Sequence, residues 1–142
     1  MSAVNYIEVE TAEPAATMPE LQCPMASAFH LFASEDVLLE PYEKRFIQTG
    51  LVIRIPQNFY AQVVGRQIMM AVGVDVACTI IESRNQHTLK VFLANNTGHE
   101  LPIMVGDKIA VLLVMPCDQL VMRSYLSTPE TEDPRPLNLS RI

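Results

Sequence analysis

The chain has no Trp, five Gly and three Cys, and each shortage excludes something. With so few Gly against ten Pro and no internal repeat, it is neither collagenous nor a repeat array. Cys23, Cys78 and Cys117 are widely spaced and form no CxxC pair, so they fit neither a closed disulfide framework nor a paired redox or metal motif; reduced thiols in a cytosolic setting are expected. Lys and Arg are absent before Lys44, whereas eight of the sixteen acidic residues precede it. The first twenty residues therefore offer no basic n-region, nor a long apolar h-region, and no secretory signal is expected. On that basis Asn95-Asn96-Thr97 and Asn138-Leu139-Ser140 read as chance matches to the glycosylation pattern. Neither half carries a dense basic patch with interleaved aromatics, which argues against nucleic acid as a partner. The longest apolar run, residues 109–115, stops at Pro116 and falls far short of the ~20 residues of a helical membrane span. It reads as a buried strand, and no membrane insertion is expected.

What is present suits one globular domain: 142 residues, 49% hydrophobic, suffice to bury a substantial core. An alternating segment at 4–10 predicts a strand, followed by an extended arm punctuated by Pro14, Pro19 and Pro24. Short apolar or β-branched runs at 28–32, 37–39, 46–55, 60–64, 74–81, 88–94, 101–104, 109–115 and 120–125 predict further strands. Breaks at Pro41, Gly50, Pro56-Gln57-Asn58, Asn95 to Gly98 and Gly106-Asp107 separate them, a rhythm that predicts an all-β sandwich or barrel. One short helix is expected at 67–71. Residues 1–126 are expected to form the barrel with its N-terminal arm, and residues 127–142, Pro-rich and acidic, an extended tail.

Motifs of general chemistry are scarce. His30, His87 and His99 never fall at metal-site spacing with the three Cys, so no metal or other cofactor is expected. The GxSxG, GxxxxGK[ST] and GxGxxG patterns are missing, and Glu35-Asp36 and Glu132-Asp133 read as solvated loop carboxylates.

A different set of segments is informative in its order. These are Ala28-Phe29-His30-Leu31, Glu40-Pro41, Thr49-Gly50-Leu51-Val52-Ile53-Arg54-Ile55-Pro56, Phe59-Tyr60-Ala61-Gln62-Val63, Arg66, Thr79-Ile80-Ile81-Glu82, Lys90 to Asn95 and Gly106-Asp107-Lys108-Ile109-Ala110. Together they resemble the successive strands and motifs of a deoxyuridine triphosphatase (dUTPase). The resemblance implies a jelly-roll-like β-barrel, a homotrimer, and active sites shared between subunits.

It also implies positions for the chemistry, and there the sequence departs from the family. His30 stands where an Asp helps hold magnesium and triphosphate, and an imidazole is a poor substitute for a hard oxygen ligand. Arg66 is retained, but Gln67 and Ile68 follow in place of Ser-Gly, removing a hydroxyl and a backbone approach. Glu82 occupies the place of the Asp that activates water, one methylene longer, and a misplacement of about 1 Å can cost roughly 10²-fold. Asn85 replaces the Tyr that packs on the deoxyribose, Val111 replaces a Gln that contacts phosphate, and the Gly-rich closing tail has no counterpart in residues 127–142. The expectation is a chain with no catalytic residues, in which His30, Arg66, Gln67, Glu82, Asn85 and Val111 are vestigial.

A dUTPase-like barrel with altered motifs and a new tail is similar to the adenovirus early region 4 open-reading-frame-1 proteins. That resemblance implies a viral interaction protein in the host cytoplasm or at membrane-associated scaffolds. Ser140-Arg141-Ile142 fits a PDZ-ligand terminus, so host PDZ-domain polarity proteins are the expected partners at those three residues. Phosphoinositide 3-kinase signalling is a further implied partner. Two alternatives stand beside this expectation: a divergent dUTP hydrolase using Glu82 and Arg66 with Mg²⁺, and a nucleotide-binding regulator without turnover.

Overall fold

The structure, a computed structural model, describes residues 4–23 and 28–126. Among them the elements are β1 (Glu8–Thr11), β2 (Glu20–Leu21), β3 (Ala28–Phe32), β4 (Val37–Leu39), β5 (Lys44–Arg54), β6 (Phe59–Val64), α1 (Gln67–Ala71), β7 (Val74–Val76), β8 (Thr79–Ile81), β9 (Thr88–Asn95), β10 (Leu101–Ile103) and β11 (Lys108–Pro116). They form a four-stranded sheet β1-β5-β9-β7, a five-stranded sheet β2-β3-β11-β6-β8 and a pair β10-β4. Every pairing is antiparallel. The all-β architecture expected from the spacing of apolar runs, jelly-roll-like as the resemblance implies, is the one that forms.

The runs become strands because their side chains fit a pleat. In β9 Leu89, Val91, Leu93 and Asn95 alternate inward, and the residues between them face out to varying degrees. All three sheets contribute to a single core, with Leu31, Leu39, Ile47, Leu51, Ile53, Val63, Leu93, Ile109 and Leu112 at or near complete burial. Ser34, Thr49 and Asn95 are the buried polar residues among those described, and Asn95 makes the most hydrogen bonds of the three. Its buried Nδ2 donates to the carbonyls of Leu39, Glu40 and His99, and its Oδ1 accepts from the Thr97 amide and hydroxyl, so the corner between β9 and β10 is fully hydrogen-bonded.

Strand β5 departs from period two. Thr49 to Ile53 are buried consecutively because the N-terminal segment lies against this stretch, with the Ala12 amide donating to the Gly50 carbonyl at 2.7 Å. Its pairing with β9 shifts register between Gln48 and Val52, and the buried Thr49 hydroxyl donates to the Leu89 carbonyl at 2.7 Å. Gly50 sits in this irregularity with φ +69°, where a Cβ would come within 2.8 Å of the Ala16 side chain.

Three expectations need correction. Residues 74–81 are two strands rather than one: β7 pairs with β9 and β8 with β6, so the chain changes sheets at Ala77-Cys78 without a Gly or Pro to mark it. Residues 120–125 form no strand; Leu120 and Met122 are 89% and 95% exposed, because no sheet edge of the described chain receives them. The first strand begins at Glu8, four residues later than the alternation at 4–10 suggested.

Gly50→Ala meets both a left-handed backbone and a filled space, so it should lower unfolding free energy by about 1–3 kcal/mol with an unchanged m-value. Urea denaturation followed by circular dichroism checks this; an unshifted midpoint would mean that the arm does not seat on β5.

Candidate functional site

Strand β11 is paired on both edges. Val111 is opposite His30 on β3 and opposite Val64 on β6, while Glu20 on β2 is opposite His30 on its other side. Four strands thus carry Glu20, His30, Val111 and Val64 in one row. Just beyond Val64 the chain leaves β6 through Gly65 and Arg66 into α1, and a cleft of about 410 Å³ opens, lined by Gln22, His30, Val64, Gly65, Arg66, Gln67, Ile68, Val111 and Leu113. The β11–β3 pairing shifts register between Lys108 and Ala110, and the Lys108 carbonyl accepts from Arg66 Nη1 at 3.2 Å. That contact anchors the half-buried guanidinium at the rim and leaves its other N–H groups available.

His30 is the electrostatic centre of the cleft. Its Nδ1 is buried without a hydrogen-bond partner among the described residues. Burial holds its pKa below the ordinary imidazole value, Lys108 and then Arg66 lower it further, and Glu20 opposes them. The neutral ring is therefore favoured in the free protein.

Glu82 lies elsewhere. It follows β8 directly, and its carbonyl accepts from the Asn85 amide in the turn that carries the chain from β8 in one sheet to β9 in the other. This connection lines a second cleft, of about 540 Å³, with Thr79, Glu82, Arg84, Asn85, His87 and Lys90 among its walls. The Asn85 side chain is spent on the turn, donating Nδ2 to the His87 carbonyl at 3.3 Å and accepting from the His87 amide at 3.4 Å. Because Ala61 pairs with Ile81, Glu82 is level with Tyr60, six residues along β6 from Arg66. At ~3.3 Å per residue, the two stand roughly 20 Å apart along the strand.

Of the residues singled out in the sequence, the fold brings together His30, Arg66, Gln67, Ile68 and Val111 in one cleft, and puts Glu82 and Asn85 in the other. Ser140, Arg141 and Ile142 lie outside the described residues. Sequence reasoning missed Lys108, although it belongs to the Gly-Asp-Lys-Ile-Ala segment, because nothing local shows that the β11 bulge faces Arg66. It also missed Gln22 and Arg84, whose only signal was their position beside strand ends, and it assigned no site role to His87 or Lys90.

The resemblance implies a magnesium ion at the His30 position, and the donors there do not suit it. The described residues contain no group of three or more His, Cys, Asp or Glu able to hold a metal. A half-buried imidazole between two cations is the reverse of the oxygen-rich set that Mg²⁺ requires.

Comparison with known proteins agrees with the fold and revises the function. The dUTPase family model matches residues 14–136. The deoxyuridine 5'-triphosphate nucleotidohydrolase of Helicobacter hepaticus is 32% identical over 119 residues, covering 82% of this chain and 75% of its own length. That of Paramecium bursaria Chlorella virus 1 is 29% identical over 131 residues, covering 92% and 91%. Among solved structures, a dUTPase from phage phi11 of S. aureus superposes with a TM-score of 0.80 at 21% identity, covering 87% of this chain and 98% of its own. A Staphylococcus bacteriophage 80alpha dUTPase carrying dUpNHpp gives 0.80 at 18% identity, covering 92% and 94%.

The expectation of a non-catalytic interaction protein is overturned by these relatives, since both curated ones are named as nucleotidohydrolases over most of the chain. The kinship to adenovirus early proteins finds no support in them. Counting His30, Gln67, Ile68, Glu82, Asn85 and Val111 as separate losses leaves out what the fold keeps: a guanidinium in one cleft, with the charge of Lys108 acting on His30 there, and an exposed carboxylate at the other.

The lowered pKa of His30 has a definite consequence for stability. In the window between its folded value and the ordinary value near 6.5, the unfolded chain binds more protons, so stability rises with pH. On acidification from about pH 7.5 to 5.5, the urea midpoint of the native protein should fall further than that of His30→Gln. Parallel pH profiles would contradict the buried, cation-flanked ring.

Proposed function

The chain belongs to the dUTPase family, and on that premise we propose that it is a divergent dUTP nucleotidohydrolase with an altered active site. The observation that carries this reading is the family match over residues 14–136, which includes every position lining both clefts. The reaction is attack of water on the α-phosphorus of dUTP: a new P–O bond forms, the bond to the bridging oxygen breaks, and diphosphate departs from dUMP.

In this reading Glu82 is the general base that takes the proton from the attacking water. Its longer side chain is tolerated because it projects from an exposed turn rather than from a packed strand. Arg66 holds the phosphate chain, its position set by the Lys108 carbonyl. Asn85 offers no aromatic plane, so the sugar rests on the cleft beside the β8–β9 connection through its backbone and neighbouring side chains.

Roughly 20 Å between Glu82 and Arg66 is too far for one chain to use both on one substrate. A complete site therefore needs the Glu82 turn of another copy beside the Arg66 cleft, which supports a homotrimer with shared sites. Apolar side chains exposed in the single chain, among them Ile68, Ile80, Leu120 and Met122, are available for such contacts.

The test is diphosphate release from dUTP. Glu82→Gln should lower kcat by about 10²–10⁴-fold with little change in KM. Release equal to buffer from the native protein would refute the proposal. For assembly, light scattering should give three times the 15.9 kDa subunit mass. Mixing inactive Glu82→Gln and Arg66→Ala proteins under exchange conditions should restore part of the activity; failure to do so would argue against shared sites.

A further inference from the structure

The cleft around His30 contains charges that the fold does not use. Among the described residues the ion pair that forms is Arg54–Glu10, on the edge of the other sheet, so neither Arg66 nor Lys108 is neutralised by a carboxylate. Arg66 is tied to a carbonyl, a contact that fixes its place without cancelling its charge. Between these cations stands an imidazole whose Nδ1 is buried and without a hydrogen-bond partner among the described residues. Such a nitrogen is costly to maintain unless an incoming group satisfies it.

We propose that this cleft binds the polyphosphate of its nucleotide with the protein's own cationic and imidazole groups, Arg66, Lys108 and His30, and therefore without a divalent ion held by the chain. The inference rests on the dUTPase-family reading of the same cleft and deepens it. An anionic oxygen placed against the cleft wall meets the guanidinium donors of Arg66 and a ring nitrogen able to donate once protonated, and it lies in the field of Lys108, whose charge already acts on His30 from the adjoining end of β11. Glu20, on the neighbouring strand, is the carboxylate that acts on His30, and it favours the protonated ring. The amides of Gln22 and Gln67 add neutral donors, and buried Val111 at the floor keeps that side dry, where charge attraction is stronger. Mg²⁺ is ordinarily bound through one or two carboxylates together with substrate phosphates; this cleft has an imidazole near two cations where that carboxylate would stand.

The experiment is calorimetric titration of the analogue dUpNHpp into the full-length protein, in EDTA and in Mg²⁺. The native protein should bind in EDTA with an affinity close to that in Mg²⁺. Lys108→Gln should weaken binding about tenfold or more under both conditions. His30→Asp, which restores an oxygen ligand and removes the imidazole, should lose affinity in EDTA and regain it with Mg²⁺. Native binding that collapses in EDTA as far as that of His30→Asp would overturn the inference and leave the hydrolase reading standing. An unchanged affinity in Lys108→Gln would also overturn it. No binding of dUpNHpp to native protein under either condition would overturn both readings. Circular dichroism of each variant separates lost binding from lost fold.

Discussion

The double pairing of β11 is the constraint on which the rest of the site depends. A strand with ladders on both edges has nearly all of its backbone groups satisfied internally, so it can be buried from Ile109 to Leu112. Its two partners are then held at fixed register. That register sets His30 level with Val64, and so places the first residues after β6 beside the imidazole. A slip of one residue on either side would turn His30 or Val64 to the opposite face and dissolve the cleft.

The same constraint explains how charge is distributed. The first 43 residues are acidic and free of Lys and Arg, yet their strand β3 contributes a neutral histidine to a place where later segments bring Lys108 and Arg66. The bulge at 108–110 is needed for this, because the Lys108 carbonyl, accepting from Arg66 at that irregularity, ties the two cationic segments together. A cleft with positive charge thus sits in a protein whose overall net charge is −6.

Much of the fold was legible because the strands obey local rules. Ala28–Phe32, Val37–Leu39 and the short helix Gln67–Ala71 lie at the positions their apolar runs and breaks predicted. The split at Ala77-Cys78 was not, since a chain can change sheets at a corner composed of ordinary residues. Apolar content also misled at 120–125, where no described edge was left to pair with. The functional reading failed for a related reason. The sequence displays His30, Glu82 and Asn85 one position at a time, whereas the charge at a cleft is the sum of neighbours that only the fold assembles.

From the sequence alone came the all-β class, the separation of strands by turn residues and the motifs that resemble dUTPases, because all of these are written in neighbouring residues at fixed spacing. Only the tertiary structure decided which of those motifs meet. Arg66 and Lys108 are 42 residues apart in the chain and joined by one hydrogen bond. Glu82, much nearer to Arg66 in sequence, ends at the far end of the β6–β8 pair. Antiparallel pairing folds sequence distance back on itself, and no local pattern records where it lands.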